Sequence, residues 1–164
     1  MNHLENLIRQ YYAWQGYIVR TNILVGRREN GGYECELDIV AYRHEPAHLV
    51  HLEPSLDAHT WDKREIRFQK KFMAGERYIK TTVFPWLHDS AVPIEKVAIL
   101  VASPSNHATV GGGLVVNLDS LVGEICKAVR GYGLVSQNAI PEQYDLLRTI
   151  QLVECGYHRP PPKD

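Results

Sequence analysis

The 164-residue sequence predicts an α/β fold, a mixed β-sheet flanked by helices on both faces. Three observations predict it. An amphipathic helix opens the chain, three strand-like segments follow in a meander, and a long helix then leads into the continuous apolar run Val97-Ala98-Ile99-Leu100-Val101-Ala102. Such a run reads as a central strand buried on both faces, and a helical crossover into it makes part of the sheet parallel.

Taken in order, residues 3–15 are predicted helical because Leu4, Leu7, Ile8, Tyr11 and Tyr12 recur at spacings of three and four, with Gly16 as the stop. Tyr17 to Val25 alternates loosely as a strand. Asn30-Gly31 marks a hairpin turn into the next strand, Tyr33 to Tyr42. A third strand runs from His48 to Glu53 and is expected to stop at Pro54, which has no N–H for a ladder. The long helix spans about 60–80, with Trp61, Phe68, Phe72 and Ile79 as its sheet-facing stripe. A weaker strand is expected at Leu114 to Leu118, and Gly111-Gly112-Gly113 before it reads as a turn. A helix follows from Asp119 or Ser120 to Val129, and a last one starts at Pro141-Glu142-Gln143 and ends near Glu154. One domain over 1–158 is expected, with 159–164 an extended tail containing Arg159-Pro160-Pro161-Pro162.

Composition narrows the function classes. Hydrophobic residues make up 45% and charged residues 23%, the balance of an ordinary globular chain. No apolar run is long enough for a transmembrane helix, and Met1-Asn2-His3-Leu4-Glu5-Asn6 lacks a signal-peptide pattern, so the expected location is cytoplasmic. Cys35, Cys126 and Cys155 are too scattered for a zinc site or a disulfide framework. A net charge of −1 argues against a protein that coats nucleic acid, while leaving room for a local basic face. The sequence does not set the oligomeric state, and a homodimer is one arrangement it permits.

The residues with most chemistry are Glu36-x-Asp38 in the second strand and Glu53 near the end of the third. Residues two apart on a strand share a face. A carboxylate followed directly by Ile39-Val40-Ala41 needs a cation or a metal if it is buried. Two carboxylates from neighbouring strands make an oxygen-donor site suited to magnesium. The competing explanation is a solvated edge strand. The histidines at 44, 48, 51 and 59 lack zinc-ligand spacing, and His48 and His51 face opposite sides of a strand.

At these positions the chain resembles the PD-(D/E)XK nuclease superfamily, in its small-endonuclease and Holliday-junction-resolvase-like branches. Glu5 on the first helix, Gly16-Tyr17-x-Val19, Asn22, the segment Glu36-Leu37-Asp38-Ile39-Val40-Ala41 and Leu49-Val50-His51-Leu52-Glu53 carry the resemblance over roughly residues 3–80. It implies a restriction-endonuclease-like fold and metal-assisted phosphodiester hydrolysis on DNA. Asp38 and Glu53 would hold magnesium or manganese, with Glu5 or Glu36 as further acidic groups. Ser55 stands where the family has its lysine. Some relatives recover that lysine from the following helix, and Lys71 is the leading substitute here. On that helix Lys71 and Arg64 share one flank, Gln69 and Glu65 the other, and Lys63 and Lys70 point away from the sheet. Gln69 is a further site candidate because several branches place a glutamine there.

Arg20, Arg27, Arg28, Arg64, Arg67 and Lys70 could neutralise backbone phosphates without reading sequence. Two alternatives remain open beside an active endonuclease. One is a catalytically degenerate nuclease fold serving as a DNA-binding or regulatory subunit, which Ser55 and Pro54 favour. The other is a protein-interaction domain, favoured if the basic residues lie far from Asp38.

Overall fold

In a computed structural model, which describes residues 2–101 and 107–157, the described chain packs as two compact units that divide after Leu118. The first unit is built on a six-stranded mixed sheet. Its strands are β1 (Ile18–Arg27), β2 (Tyr33–Arg43), β3 (His48–Ser55), β4 (Ile94–Leu100), β5 (Thr109–Val110) and β6 (Gly113–Asn117), in the spatial order β1-β2-β3-β4-β6-β5. The first three form the predicted antiparallel meander, and β4 and β6 join in parallel after the helical crossover. β3 and the second half of β4 are buried along their length, as expected of strands covered on both faces.

Helix α1 (His3–Trp14) packs on β1 and β2, burying Leu4 and Ile8, and a capping box between Asn2 and Glu5 closes its N-terminus. Helix α2 (Trp61–Tyr78) crosses the sheet and touches all six strands. Phe68 and Phe72 pack with Ala98, Leu100 and Val110, while further along Ala74 and Ile79 pack with Val40, Tyr42, Leu49 and Phe84. The predicted stripe is thus the buried stripe, and the helix continues as a π-helical turn, Ile79–Val83.

Pro54 does not end β3. The ladder with β2 stops at Leu52, but the parallel ladder with β4 continues through Pro54 to Ser55. The missing N–H is tolerated because the strand has already parted from β2 there. On the other side of β2, Asn22 adopts φ 52° and the β1–β2 ladder skips the Asn22–Asp38 pair. Asp38 therefore lies where the sheet is loosened on both sides. At the opposite end, Tyr17 bonds His48 Nδ1 at 2.6 Å and His48 Nε2 bonds Glu95 at 2.6 Å, tying the starts of β1, β3 and β4.

The β5–β6 turn is Gly111-Gly112, both residues at positive φ, as a two-residue hairpin requires. It lies directly on α2: a Cβ at Gly111 would sit 2.3 Å from the Gln69 backbone nitrogen. Gly111→Ala is expected to destabilise the protein by at least about 2 kcal/mol, since overpacking and a left-handed backbone act together. A urea-denaturation midpoint unchanged from the parent would contradict this.

The second unit contains α3 (Leu118–Tyr132) and α4 (Asp145–Leu152). The last helix starts later than predicted, because Pro141 opens a turn closed by Tyr144 N donating to Pro141 O at 3.0 Å. Buried Gln151 donates to the carbonyls of Gly133 and Asn138 and accepts from Ile140 N, so each of these buried polar groups has a partner. β4 begins three residues before its predicted start, and Ala102 and the tail 159–164 lie outside the described residues.

Candidate active site

The site forms where β2 and β3 separate. Asp38 comes from the middle of β2, Glu53 from β3, and Lys71 from the third turn of α2. Lys71 Nζ lies 2.6 Å from Asp38 Oδ1 and also donates to Glu53 Oε2. Glu53 Oε1 accepts the Asp38 backbone N–H at 3.2 Å, replacing the carbonyl that an uninterrupted β2–β3 ladder would have supplied. It also meets His51 Nε2 at 2.7 Å. Two carboxylates, one ammonium and one imidazole thus share a compact, largely buried cluster.

Burial dominates its electrostatics. Desolvation, then the hydrogen bond and charge of Glu53, push Asp38 up to about 7 despite Lys71. Glu53, almost completely buried, is raised for the same first reason, with Lys71 opposing. Lys71 is itself raised: burial disfavours its charge, but Glu53 and then Asp38 outweigh that. His51 is driven down to about 3 by burial and by the Lys71 charge, so its ring is neutral. Two carboxylates share one cation, and the cluster is one positive charge short when both ionise.

Of the residues singled out from sequence, Asp38, Glu53 and Lys71 come together directly. Glu5 is put to a different use, accepting from Asn2 N at 3.0 Å and Asn2 Nδ2 at 2.6 Å in the α1 capping box. Glu36 is exposed and accepts from Asn22 at 3.0 Å. Ser55 Oγ donates to Asp57, which also holds Arg64 and Arg67. Against the upward push of burial, Ser55, the His59 amide and Arg67 bring Asp57 down to about 2. Arg64 is buried and donates to Asp57 O at 2.6 Å, so it serves this internal cluster rather than an open phosphate surface.

Gln69 is exposed and faces a neighbouring cleft of about 420 Å³. That cleft runs between the β1–β2 hairpin and the outer face of α2, with Arg28, Lys70 and Arg77 as its cations and Glu34 as its acid. Apolar Ile66, Met73, Ala74 and Cys35 complete the lining, and the Cys35 thiol feels the charges of Lys71 and Glu53 after the larger effect of its own burial. Arg27 and Arg28 flank a second depression at the hairpin tip, and Arg20 is exposed on β1.

His51, which sequence reasoning weighs only as a zinc ligand and sets aside, is part of the site. Its signal is a lone imidazole inside the apolar run Leu49-Val50-His51-Leu52, two residues before Glu53 and therefore on the same face. Among the described residues no group of three or more His, Cys, Asp or Glu side chains is placed to hold a metal. Asp38 and Glu53 are the two hard-oxygen donors of the cluster, and magnesium commonly takes one or two carboxylates and completes its shell with water and substrate phosphate. The donor set fits that ion. No helix is long and apolar enough to cross a membrane among the described residues. No family model matches the sequence, and no curated protein matches it.

Proposed function

We propose that the protein is a metal-dependent endonuclease that hydrolyses phosphodiester bonds in DNA. The observation that carries this reading is the convergence of Lys71 on Asp38 and Glu53: a lysine supplied by α2 stands beside the strand-borne acidic pair, while Ser55 occupies the strand position. The resemblance to PD-(D/E)XK nucleases supports the assignment of roles. Asp38 and Glu53 would hold magnesium or manganese, and the ion's chemistry would be to lower the pKa of a bound water and stabilise charge on the phosphate. Lys71 would move from its bridge between the carboxylates to orient the attacking water and offset charge on the phosphorane. The cleft cations Arg28 and Lys70, with Arg27 at the hairpin tip, would hold the DNA backbone without reading bases.

Purified protein incubated with plasmid, junction and single-stranded DNA should cleave at least one of them only with magnesium or manganese present. Asp38→Ala should reduce the rate to background. Cleavage that survives chelation, or that Asp38→Ala leaves intact, contradicts the reading.

The same salt bridge favours one other reading. An ammonium seated between both carboxylates already neutralises much of their charge, as it would in a nuclease fold that binds DNA or a catalytic partner without cutting. DNA binding by the parent that needs Lys70 and Arg28, with no cleavage under any metal, would select it.

A further inference from the structure

His51 is fully buried in the middle of β3, where a leucine would pack without a polar penalty. One of its nitrogens, Nδ1, has no hydrogen-bond partner. An unsatisfied buried acceptor of this kind is costly. The surroundings nevertheless fit the ring closely. Gly75 of α2 clears space for it, since a Cβ there would come within 2.3 Å of Nδ1. Phe72 meets it edge to face at 5.3 Å and 87°. The imidazole is thus held in one orientation from the helix side, and that orientation aims Nε2 at Glu53 Oε1, 2.7 Å away.

The direction of that hydrogen bond follows from the charge on Glu53. An ionised Glu53, the form that pairs with the Lys71 ammonium, is acceptor-only, so Oε1 accepts both the Asp38 N–H and a proton carried on His51 Nε2. The backbone amide and the imidazole therefore both meet Oε1, with the Asp38 carboxyl as a further partner of the Glu53 side chain. Oε2 is left facing Lys71. The carboxylate has one anchored oxygen and one working oxygen.

We propose that His51 is a positioning residue: its Nε2–H, with the Asp38 amide, pins Glu53 Oε1 so that Oε2 is presented to the cation lying between the two carboxylates. In the structure that cation is the Lys71 ammonium. For a metal ion the inference rests on the function proposed above. A group that donates to a ligating carboxylate fixes the carboxylate's orientation and strengthens metal binding. The accommodation of the ring by Gly75 has the same sense, because α2 then supplies both the cation and the clearance for the residue that aims its acceptor.

The test compares His51→Leu, which fills the space without a donor, with His51→Gln, whose amide nitrogen reaches nearly the same point. His51→Met replaces the leucine variant if that one does not fold cooperatively. Two readouts are taken on the full chain. The first is the ¹H–¹⁵N correlation of the Lys71 ammonium without metal, visible only while the group is held out of fast exchange. The second is manganese affinity by calorimetry, with Glu53→Ala as the reference for loss of the site. The Lys71 signal should vanish in His51→Leu and persist in His51→Gln, and manganese should bind about tenfold to a hundredfold more weakly in the leucine variant alone. An unchanged Lys71 signal in His51→Leu overturns the inference, as does equal loss in the leucine and glutamine variants, which would mark a packing role. If the parent binds no manganese, the metal reading fails, and the Lys71 signal still decides the role of His51.

Discussion

Replacing Lys71 with methionine is expected to destabilise the protein by about 3–5 kcal/mol at pH 8, the cost of stranding buried charge by removing its partner. Methionine keeps most of the bulk and removes the ammonium, so packing changes little. What remains is Asp38 beside a fully buried Glu53, two like charges already raised by desolvation. Without Lys71 both rise further. Between about pH 4 and 8 the folded variant then binds more protons than the unfolded chain, whose carboxylates titrate near 4. Its stability must fall as pH rises, and the deficit against the parent should be largest at pH 8 and smallest below about pH 4. Urea denaturation of both proteins across this range is the measurement. A deficit independent of pH would mean that Lys71 contributes packing rather than charge. DNA cleavage should be lost together with the ammonium.

The opposite sign is expected for Asp38→Asn. Asp38 is held at about 7 in the folded chain against an ordinary value of 3.8. A raised folded pKa contributes stability that is complete below about pH 4 and is lost as pH rises through 7. At pH 8 the parent therefore keeps an ionised carboxylate where burial opposes it. A tenfold change in proton affinity corresponds to about 1.4 kcal/mol, and loss of the Lys71 hydrogen bond offsets part of the total. Asparagine leaves Lys71 paired one-to-one with Glu53. The expected gain is about 1–3 kcal/mol at pH 8, fading to nothing near pH 4, with cleavage abolished. Magnesium should raise the melting temperature of the parent at pH 8 and leave the variant unmoved, since only a ligand that binds the folded state stabilises it. A variant less stable than the parent at pH 8 would show that the Asp38–Lys71 bond outweighs desolvation.

These two results would separate a site tuned for chemistry from an ordinary surface ion pair. A surface pair contributes about 1 kcal/mol or less, and removing either partner costs little. Here Asp38 and the cation it shares with Glu53 are expected to respond in opposite directions, because two carboxylates share one positive charge.

Much of the fold is legible in the sequence because its elements follow strong periodicities. The α2 stripe of Phe68, Phe72 and Ile79 and the hairpin turn after Asn30 lie where spacing and turn chemistry put them. The departures have physical causes. Pro54 reads as a terminator because a proline cannot serve a two-sided ladder, yet the sheet has already opened on that side. Pro141 reads as a helix start, whereas the turn closed by Tyr144 precedes the helix.

The site is partly legible. Lys71 can be placed on the correct flank of α2 from 100° per residue alone, because a straight helix preserves angular position. Glu5 and Arg64 cannot be sorted that way. Their fates depend on Asn2 and Asp57, short polar residues whose local bonds leave no periodic trace. His51 is weighed in sequence only as a zinc ligand, because an imidazole in an apolar strand looks the same whether it fills space or aims a hydrogen bond.

The lysine's place on a helix also has a consequence for how the chain comes into being. Asp38 and Glu53 belong to neighbouring antiparallel strands that are close in sequence. Lys71 arrives later and finds them only when α2 docks across the sheet. Until the helix is in place the two carboxylates have no cation between them, and a partly unfolded chain lacks the assembled cluster. The Lys71 bridge is in this sense a mark of completed assembly.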